Sequence, residues 1–465
     1  MPLRFSDQRM RFLALLAAFG AVTLIAAVGL RHSQKGVYGV TLQLAAWLRG
    51  GPRPEVTTWP AWGYPLLLAQ MPSPRWVLVM QATLGCIALA ALAWRLCALL
   101  PRQRPLLIVL CILAVPWHNM QATLYPDAIP GSLAILALLS LERALARGGI
   151  RWALLAGLLI GVAQNFRTEF VLLPCFLGIS LFLLKLAGIV RTPLLRPIGA
   201  LIAVALALQI PWAIYYHSQT GRYALTESNF GHVIYTSLGT SPGNPWSIEP
   251  SDEGTARSLR AAGYSFSSLS DAGSRVLLEL ARHKVQEHPS ALVGRTEQLV
   301  RDTVLAPFNW GEPDLDAQTA GHLDVLRQEL KARVAVGVNP AKLTAYRANG
   351  AWSVAHADST ARQALLYQVV TIGLGSAIFV LAIAGMAVVI LRSGPRPGTA
   401  LLYLLGATAL YKTLQDMLLF YQVNYLDNVY PMFLPFACIS LTTVADLLRR
   451  RHVAMRSAER CGRGE

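Results

Sequence analysis

The sequence predicts an all-α integral membrane protein with about ten transmembrane helices. Of its 465 residues, 54% are apolar and only 14% are charged, and the mean hydropathy is +0.44. Apolar runs of roughly 18 or more residues recur along the whole chain. The formal net charge is +16, and about half of the Lys and Arg residues lie in short clusters at every second turn between these runs, which mark the cytoplasmic face. This distribution argues against nucleic acid as the partner of the basic charge.

The first part of the chain, 1–216, predicts a membrane domain of about seven helices. Three arginines precede the first apolar run, 12–30, which we interpret as an uncleaved span with a cytoplasmic amino end. An external loop, 31–75, follows and ends in a stiff segment rich in proline and aromatic residues. The apolar segments on either side of a polar crest at 117–127 are short for a membrane about 30 Å thick. Short, broken segments of this kind are typical of helices that line a cavity.

The second part contains a long polar interruption, 217–363, for which we expect a mainly helical external domain that rests as a cap on the membrane part. About three further apolar helices, 364–448, lead to a basic cytoplasmic tail, 449–465, so both termini are predicted to be cytoplasmic. No Asn-x-Ser/Thr acceptor occurs, and Arg is more abundant than Lys. Both features fit a bacterial inner-membrane protein whose external domain lies in the periplasm.

The most informative stretch is 152–174, where two apolar runs meet at Asn165-Phe-Arg-Thr-Glu169. A single continuous helix would hold Arg167 and Glu169 near the middle of the bilayer, at a cost of a few kcal/mol each. Two short helices would instead turn at the far membrane face and present both charges to water there. The two side chains could pair with each other, or Arg167 could bind an anionic lipid-linked ligand.

Three other charged residues are candidates for chemistry or for phosphate binding. Asp127 follows Tyr-Pro at the tip of a short hairpin, where a carboxylate could accept a proton from an acceptor hydroxyl or amine, although Asp127 also suits a helix N-cap. Lys35 could bind a phosphate or could be a flanking residue at the membrane surface. Lys412 could face a phosphate or could form a pair with Asp416, one helical turn away.

Four further candidates lie in the predicted external loops. Glu55 is an exposed loop acid and a second candidate for the catalytic base. Tyr38, Tyr64 and Tyr425 are candidate substrate-binding residues, although tyrosines at the ends of spans are also typical of the aromatic belt. Walker, His-Glu-x-x-His, Gly-x-Ser-x-Gly and cysteine-pair motifs are absent, so nucleotide, zinc-protease and serine-hydrolase functions lack support. No cofactor is predicted, and no histidine spacing indicates a metal.

Five segments occur in a recognisable order along the chain. They are Trp59-Pro60 with Tyr64-Pro65-Leu66-Leu67-Leu68, Gly157-x-x-x-Gly161 with Arg167-Thr168-Glu169-Phe170 and Pro174, Arg222-Tyr223-Ala224-Leu225-Thr226, Glu287-His288-Pro289, and Tyr425 with Tyr430-Pro431 and Pro435. This order resembles the bacterial GT-C glycosyltransferases of the protein O-mannosyltransferase and lipid A aminoarabinose transferase type. Those enzymes take a sugar from a polyprenyl phosphate carrier.

The resemblance implies a GT-C-like fold and an inverting transfer of a sugar to a lipid, glycan or protein acceptor at the outer face of the membrane. The leaving phosphate would be neutralised by Arg167 together with Lys35 or Lys412, next to Glu169 and the candidate tyrosines. The family carries an acidic residue a few positions before a Tyr in its first external loop, but Gln34, Lys35 and Gly36 stand there in this chain.

The missing first-loop acid leaves alternatives open. Asp127, which resembles the acidic position of the family's second external loop, or Glu55 would supply the base, or the protein is a non-catalytic relative. A transporter or flippase of a lipid-linked or anionic solute would also use broken helices and buried charges. An external cap of about 140 residues argues against most carriers, because their loops are short.

Overall fold

The computed structural model describes residues 5–29, 39–147, 149–190, 193–241, 243–305, 317–334, 355–356, 358–392, 399–419 and 423–462. Every regular element in these ranges is helical. Together with the apolar spans described below, this confirms the prediction of an all-α, multi-pass membrane protein.

The amino-terminal part consists of eleven α-helices within the described ranges. They are α1 Phe5–Gly29, α2 Gly39–Leu48, α3 Gly63–Gln70, α4 Pro74–Leu99, α5 Arg104–Ile112, α6 Val115–Ala122, α7 Ala128–Arg147, α8 Ile150–Phe166, α9 Leu173–Leu186, α10 Leu195–Ala207 and α11 Ile210–Thr220. A short 3₁₀ turn, Thr168–Phe170, lies between α8 and α9.

The remainder of the described chain continues with shorter helices and then three long ones. They are α12 Phe230–Gly239, α13 Asp252–Ala261, α14 Asp271–Glu287, α15 Ala291–Leu305, α16 Ala317–Val334, α17 Ser359–Arg392, α18 Thr399–Leu419 and α19 Tyr430–Gly462, with a 3₁₀ segment Val423–Val429 before α19. Helices α12 to α14 enclose a small apolar core of their own, which includes Tyr235, Trp246 and Leu277. Their assignment to an external domain with the bounds 217–363 stays a prediction.

By length and apolarity, 6 described helical segments could cross a membrane, or 7 if the bent pair α5 and α6 is one span. That pair is bent by 40°. The sequence predicts about ten spans. That prediction also counts α18 and the shorter apolar helices Met10–Ala26 and Ile150–Phe166 as spans. Helix α7 is the most enclosed of the spans, with 83% of its apolar window buried, against 22% for Leu195–Thr220. Helix α7 therefore forms the centre of the bundle.

The charged junction between α8 and α9 is a hinge, as the sequence predicts. Helix α8 ends at Phe166, and Arg167 adopts an extended backbone conformation with φ −147° and ψ 112°. The expectation that the hinge presents its charges to water is wrong, because the side chains of Arg167 and Glu169 are only 11% and 9% exposed. Residues from two other elements, Asp127 and Lys412, cover them.

A glycine allows the 3₁₀ segment Val423–Val429 to approach the first turn of α7 closely. A Cβ atom at Gly131 would lie 1.9 Å from the carbonyl oxygen of Asn428. That oxygen belongs to the backbone, so a side chain at position 131 would force the two elements apart. The close approach sets the position of α7, and with it the position of Asp127, relative to the carboxyl-terminal helices.

We expect the Gly131→Ala variant to lower the free energy of unfolding by about 1–3 kcal/mol, the usual cost of overpacking. The matched control is Gly199→Ala on α10, where nothing lies within 4 Å of the added Cβ. Alanine is the better helix former, so the control should be neutral or stabilising by up to about 1 kcal/mol. Thermal unfolding in detergent measures both changes, and equal midpoints for the two variants would contradict the close approach.

Candidate active site

The carboxylate of Asp127 binds the guanidinium group of Arg167 through two parallel contacts. The Nε atom of Arg167 donates to Oδ1 of Asp127, and an Nη atom donates to Oδ2 at 2.9 Å. Asp127 immediately precedes helix α7 and is fully buried. The extended conformation of Arg167 after α8 directs its side chain toward this position. Sequence reasoning proposed both residues for one pocket, and the structure brings them into direct contact.

The second ion pair of the site joins Glu169 in the hinge to Lys412 on α18. The ammonium group of Lys412 contacts the Glu169 carboxylate, lies 3.2 Å from Oε1 of Gln415 and lies 5.2 Å from the ring centroid of Phe170. The Tyr411 hydroxyl and the Gln415 amide donate to the backbone carbonyl of Glu169 at 2.6 and 3.2 Å. One turn of α18 therefore fixes both the side chain and the backbone of the hinge.

The two ion pairs form one connected, buried cluster. An Nη atom of Arg167 lies 3.6 Å from the second carboxylate oxygen of Glu169, and the side chain of Lys412 is only 1% exposed. With two cations and two carboxylates, the cluster has no net charge. Neutrality matters here because an isolated buried charge costs several kcal/mol, whereas a paired one is tolerated. We refer to Asp127, Arg167, Glu169 and Lys412 as the charge cluster.

Tyr64 lies beside the charge cluster and is 1% exposed, so it is not an aromatic-belt residue. Its hydroxyl donates to Oε1 of Gln81 at 3.1 Å, and the Gln81 amide donates to the backbone carbonyl of Gln121 at the same distance. Burial raises the pKa of Tyr64, and the negative charge of Asp127 raises it further. Tyr64 therefore stays a neutral hydroxyl that can donate or accept a hydrogen bond.

A third carboxylate, Glu227, lies next to the charge cluster. Its Oε1 atom accepts a hydrogen bond from the hydroxyl of Thr168 at 3.0 Å, and the side chain is 8% exposed. The other oxygen, Oε2, is buried and has no hydrogen-bond partner within the described ranges. Burial raises the pKa of Glu227 and the charge of Glu169 raises it further, while the nearby charge of Arg167, the Thr168 hydrogen bond and a hydrogen bond from the backbone N–H of Ala61 lower it. Glu227 is therefore held in place by Thr168 and by the backbone of Ala61.

The loop that carries Glu227 is docked on the proline-rich loop that precedes α3. The backbone N–H of Ser228 donates to the carbonyl of Thr58 at 3.1 Å, and the hydroxyl of Tyr215 donates to the carbonyl of Thr57 at 3.2 Å. The ring of Trp62 stacks on Tyr215 at 5.5 Å, and its indole N–H donates to the side chain of Asn165 at 3.2 Å. The proline-rich loop thus connects the hinge to the loop of Glu227.

The other proposed site residues lie outside this cluster or outside the described residues. Glu55 is exposed, and its carboxylate accepts a hydrogen bond from the backbone N–H of Ser267 at 3.2 Å. Residues Lys35 and Tyr38 lie outside the described ranges, as do the side chains of Tyr425 and Asp416. Within the described ranges, no group of three or more His, Cys, Asp or Glu residues could hold a metal ion.

Sequence reasoning missed Glu227, Gln415 and the contact between Lys412 and Glu169. The segment 218–254 is rich in Gly, Ser, Asn and Pro, which indicated only a loop, and a single glutamate in it gave no signal of burial. For Lys412, the neighbouring Asp416 offered a local partner, whereas the observed partner lies 243 residues away. Only the rarity of buried charges in a membrane helix could have indicated a distant partner.

A sequence model described as dolichyl-phosphate-mannose-protein mannosyltransferase matches residues 53–215. The mannosyltransferase match covers about a third of the chain and includes the proline-rich loop, Asp127 and the hinge. It ends before Glu227 and before Lys412 on α18. The matched region thus supplies one ion pair and one further carboxylate of the site. No curated protein and no solved structure gives a significant match to the chain.

We expect Lys412→Met to lower the free energy of unfolding by about 3–5 kcal/mol, because the charge cluster would be left with one uncompensated buried negative charge. The double variant Glu169→Gln with Lys412→Met should recover part of this loss. Lys185→Met, which removes an exposed lysine from α9, is the control and should change stability by less than about 0.5 kcal/mol. If thermal unfolding shows the same stability for Lys412→Met and Lys185→Met, the ion pair between Glu169 and Lys412 is not buried.

Proposed function

We propose that this protein is a membrane glycosyltransferase that transfers a sugar from a prenyl-phosphate carrier to an acceptor. The observation that carries the proposal is the buried charge cluster, in which Arg167 pairs with Asp127 and Lys412 with Glu169, together with the carboxylate of Glu227 near Arg167. The match of 53–215 to the mannosyltransferase description supports the same reaction class. We further propose that transfer occurs at the outer face of a bacterial inner membrane, onto a lipid, glycan or protein.

In this proposal the donor phosphate binds by exchange with a carboxylate. Both cations of the charge cluster are already paired, so a phosphate oxygen takes the place of an oxygen of Asp127 or Glu169. Arginine suits this exchange because its planar guanidinium group carries five N–H donors that match phosphate as well as carboxylate. The cations then stabilise the negative charge that develops on the phosphate as the sugar leaves.

The transfer step needs a group that accepts a proton from the acceptor. The acceptor oxygen or nitrogen attacks the anomeric carbon, the bond from that carbon to the phosphate oxygen breaks, and the phosphate leaves with the electron pair. The sequence predicts Asp127 as the base that accepts this proton, but both oxygens of Asp127 bind Arg167. We propose instead that Glu227 accepts the proton at its Oε2 atom and that Asp127 positions Arg167.

We expect the purified protein in liposomes to transfer labelled sugar from a prenyl-phosphate donor, with mannose as the first sugar tested. The Arg167→Gln variant should transfer at least about 100-fold more slowly, since it loses a charge that stabilises the transition state. Arg53→Gln, which changes an exposed arginine at the start of the matched region, should retain activity. Movement of an intact labelled donor across the membrane without sugar transfer would favour the flippase alternative and contradict the proposal.

We expect the acid limb of the pH–rate profile to lie above the ordinary glutamate pKa of about 4.3, because burial raises the pKa of Glu227 and only its ionised form accepts a proton. Glu227→Gln should lose about 10²- to 10⁴-fold in turnover and lose that limb. Glu253→Gln, on the exposed face of α13, is the matched control. Wild-type turnover and an unchanged acid limb in Glu227→Gln would contradict the role of Glu227 as the base and would favour Asp127 instead.

A further inference from the structure

A groove of about 700 Å³ lies at the end of the bundle opposite to the charge cluster. Helices α1 and α7 both pack against α4, and the groove is the space between them. Asp127 immediately precedes α7, and Glu142 lies near its other end. At a rise of 1.5 Å per residue, the two residues are separated by about 22 Å along the helix axis. The groove is therefore separated from the charge cluster by most of the thickness of a hydrocarbon core, and it is a different site.

The part of the groove nearer the middle of α7 is apolar. Phe12 and Leu13 on α1, Trp94 on α4 and Leu139 on α7 line it. The rings of Phe12 and Trp94 meet edge to face, with centroids 6.3 Å apart, so α1 and α4 form a continuous wall. Leu13 is 53% exposed, which in a membrane protein means that this side of the groove opens toward lipid.

The part of the groove nearer the carboxyl end of α7 is basic. Among the lining residues that the structure describes, Glu142 is the only acid, and Arg95 neutralises it through contacts from Nε to both carboxylate oxygens at 3.0 Å. Arg143 and Arg147 then remain as two uncompensated charges one helical turn apart, and neither has an ion pair within the described residues. The Arg143 guanidinium lies 5.0 Å from the ring centroid of Trp152, which holds it at the rim of the groove.

The arginines lie near the ends of two spans, where lipid headgroups are expected. Arg95 is within one turn of the end of α4, and Arg143 and Arg147 occupy the last turns of α7, both of which are membrane spans. Apolar side chains thus occupy the level of acyl chains, and two cations occupy the level of a phosphate. Basic pockets between transmembrane helices are a recurring type of site for anionic lipid headgroups.

We propose that this groove binds an anionic phospholipid of the surrounding bilayer, with its phosphate against Arg143 and Arg147 and an acyl chain along Phe12 and Leu139. The ligand is a membrane phospholipid and not the sugar donor, because the groove and the charge cluster lie at opposite ends of α7. The site is independent of the proposed transferase activity.

Native mass spectrometry of the delipidated full-length protein, with phosphatidylglycerol and phosphatidylcholine added separately, tests the proposal. We expect tighter binding of phosphatidylglycerol at one site. The double variant Arg143→Gln with Arg147→Gln should weaken that binding about 30-fold at low salt, equivalent to about 1 kcal/mol for each arginine. The control is the double variant Arg449→Gln with Arg450→Gln. It removes two exposed arginines at the end of another span, and neither of them lines the groove.

A second variant, Ala91→Phe, fills the groove without a change in charge and should also weaken phosphatidylglycerol binding. Equal affinity for the two lipids, or equal loss of binding in the two double variants, would overturn the proposal. Both variant sets change exposed or groove-lining side chains, and thermal unfolding provides the check that each protein is folded. Donor-dependent sugar transfer measured in parallel should respond to Arg167→Gln and not to the groove variants at saturating lipid.

Discussion

The ion pairs Asp127–Arg167 and Glu169–Lys412 connect three parts of the chain that hydropathy alone would leave unrelated. Asp127 precedes α7, the hinge carries Arg167 and Glu169, and α18 carries Lys412. None of these charges would be stable alone in a water-poor environment, so each of them requires the others in place. The cluster thereby determines how the amino-terminal and carboxyl-terminal helices pack around α7.

The same constraint suits the site to the anionic ligand that we propose for it. A neutral cluster avoids the cost of two unpaired buried cations when no phosphate is bound, and it keeps them at fixed positions. A phosphate that replaces a carboxylate oxygen keeps the cations paired throughout. Glu227 completes the arrangement, because the loop that carries it docks on the proline-rich loop and holds its carboxylate next to the hinge.

The fold class and the hinge could be predicted from sequence because they depend on local properties. Apolar runs and basic clusters indicate spans, and a charged break between two apolar runs indicates a turn. The partners in the site could not be predicted, since Arg167 lies 40 residues from Asp127 and Lys412 lies 243 residues from Glu169. The burial of the hinge was missed for the same reason, because helices distant in sequence cover it.

We propose above all that a lipid-linked phosphate binds in the charge cluster. A cryo-EM map of the protein with a non-hydrolysable prenyl-phosphate sugar analogue tests it most directly. We predict phosphate oxygens within about 3 Å of the side-chain nitrogens of Arg167 and Lys412, with a carboxylate of Asp127 or Glu169 displaced. A phosphate bound elsewhere in the bundle, with both ion pairs intact, would contradict it.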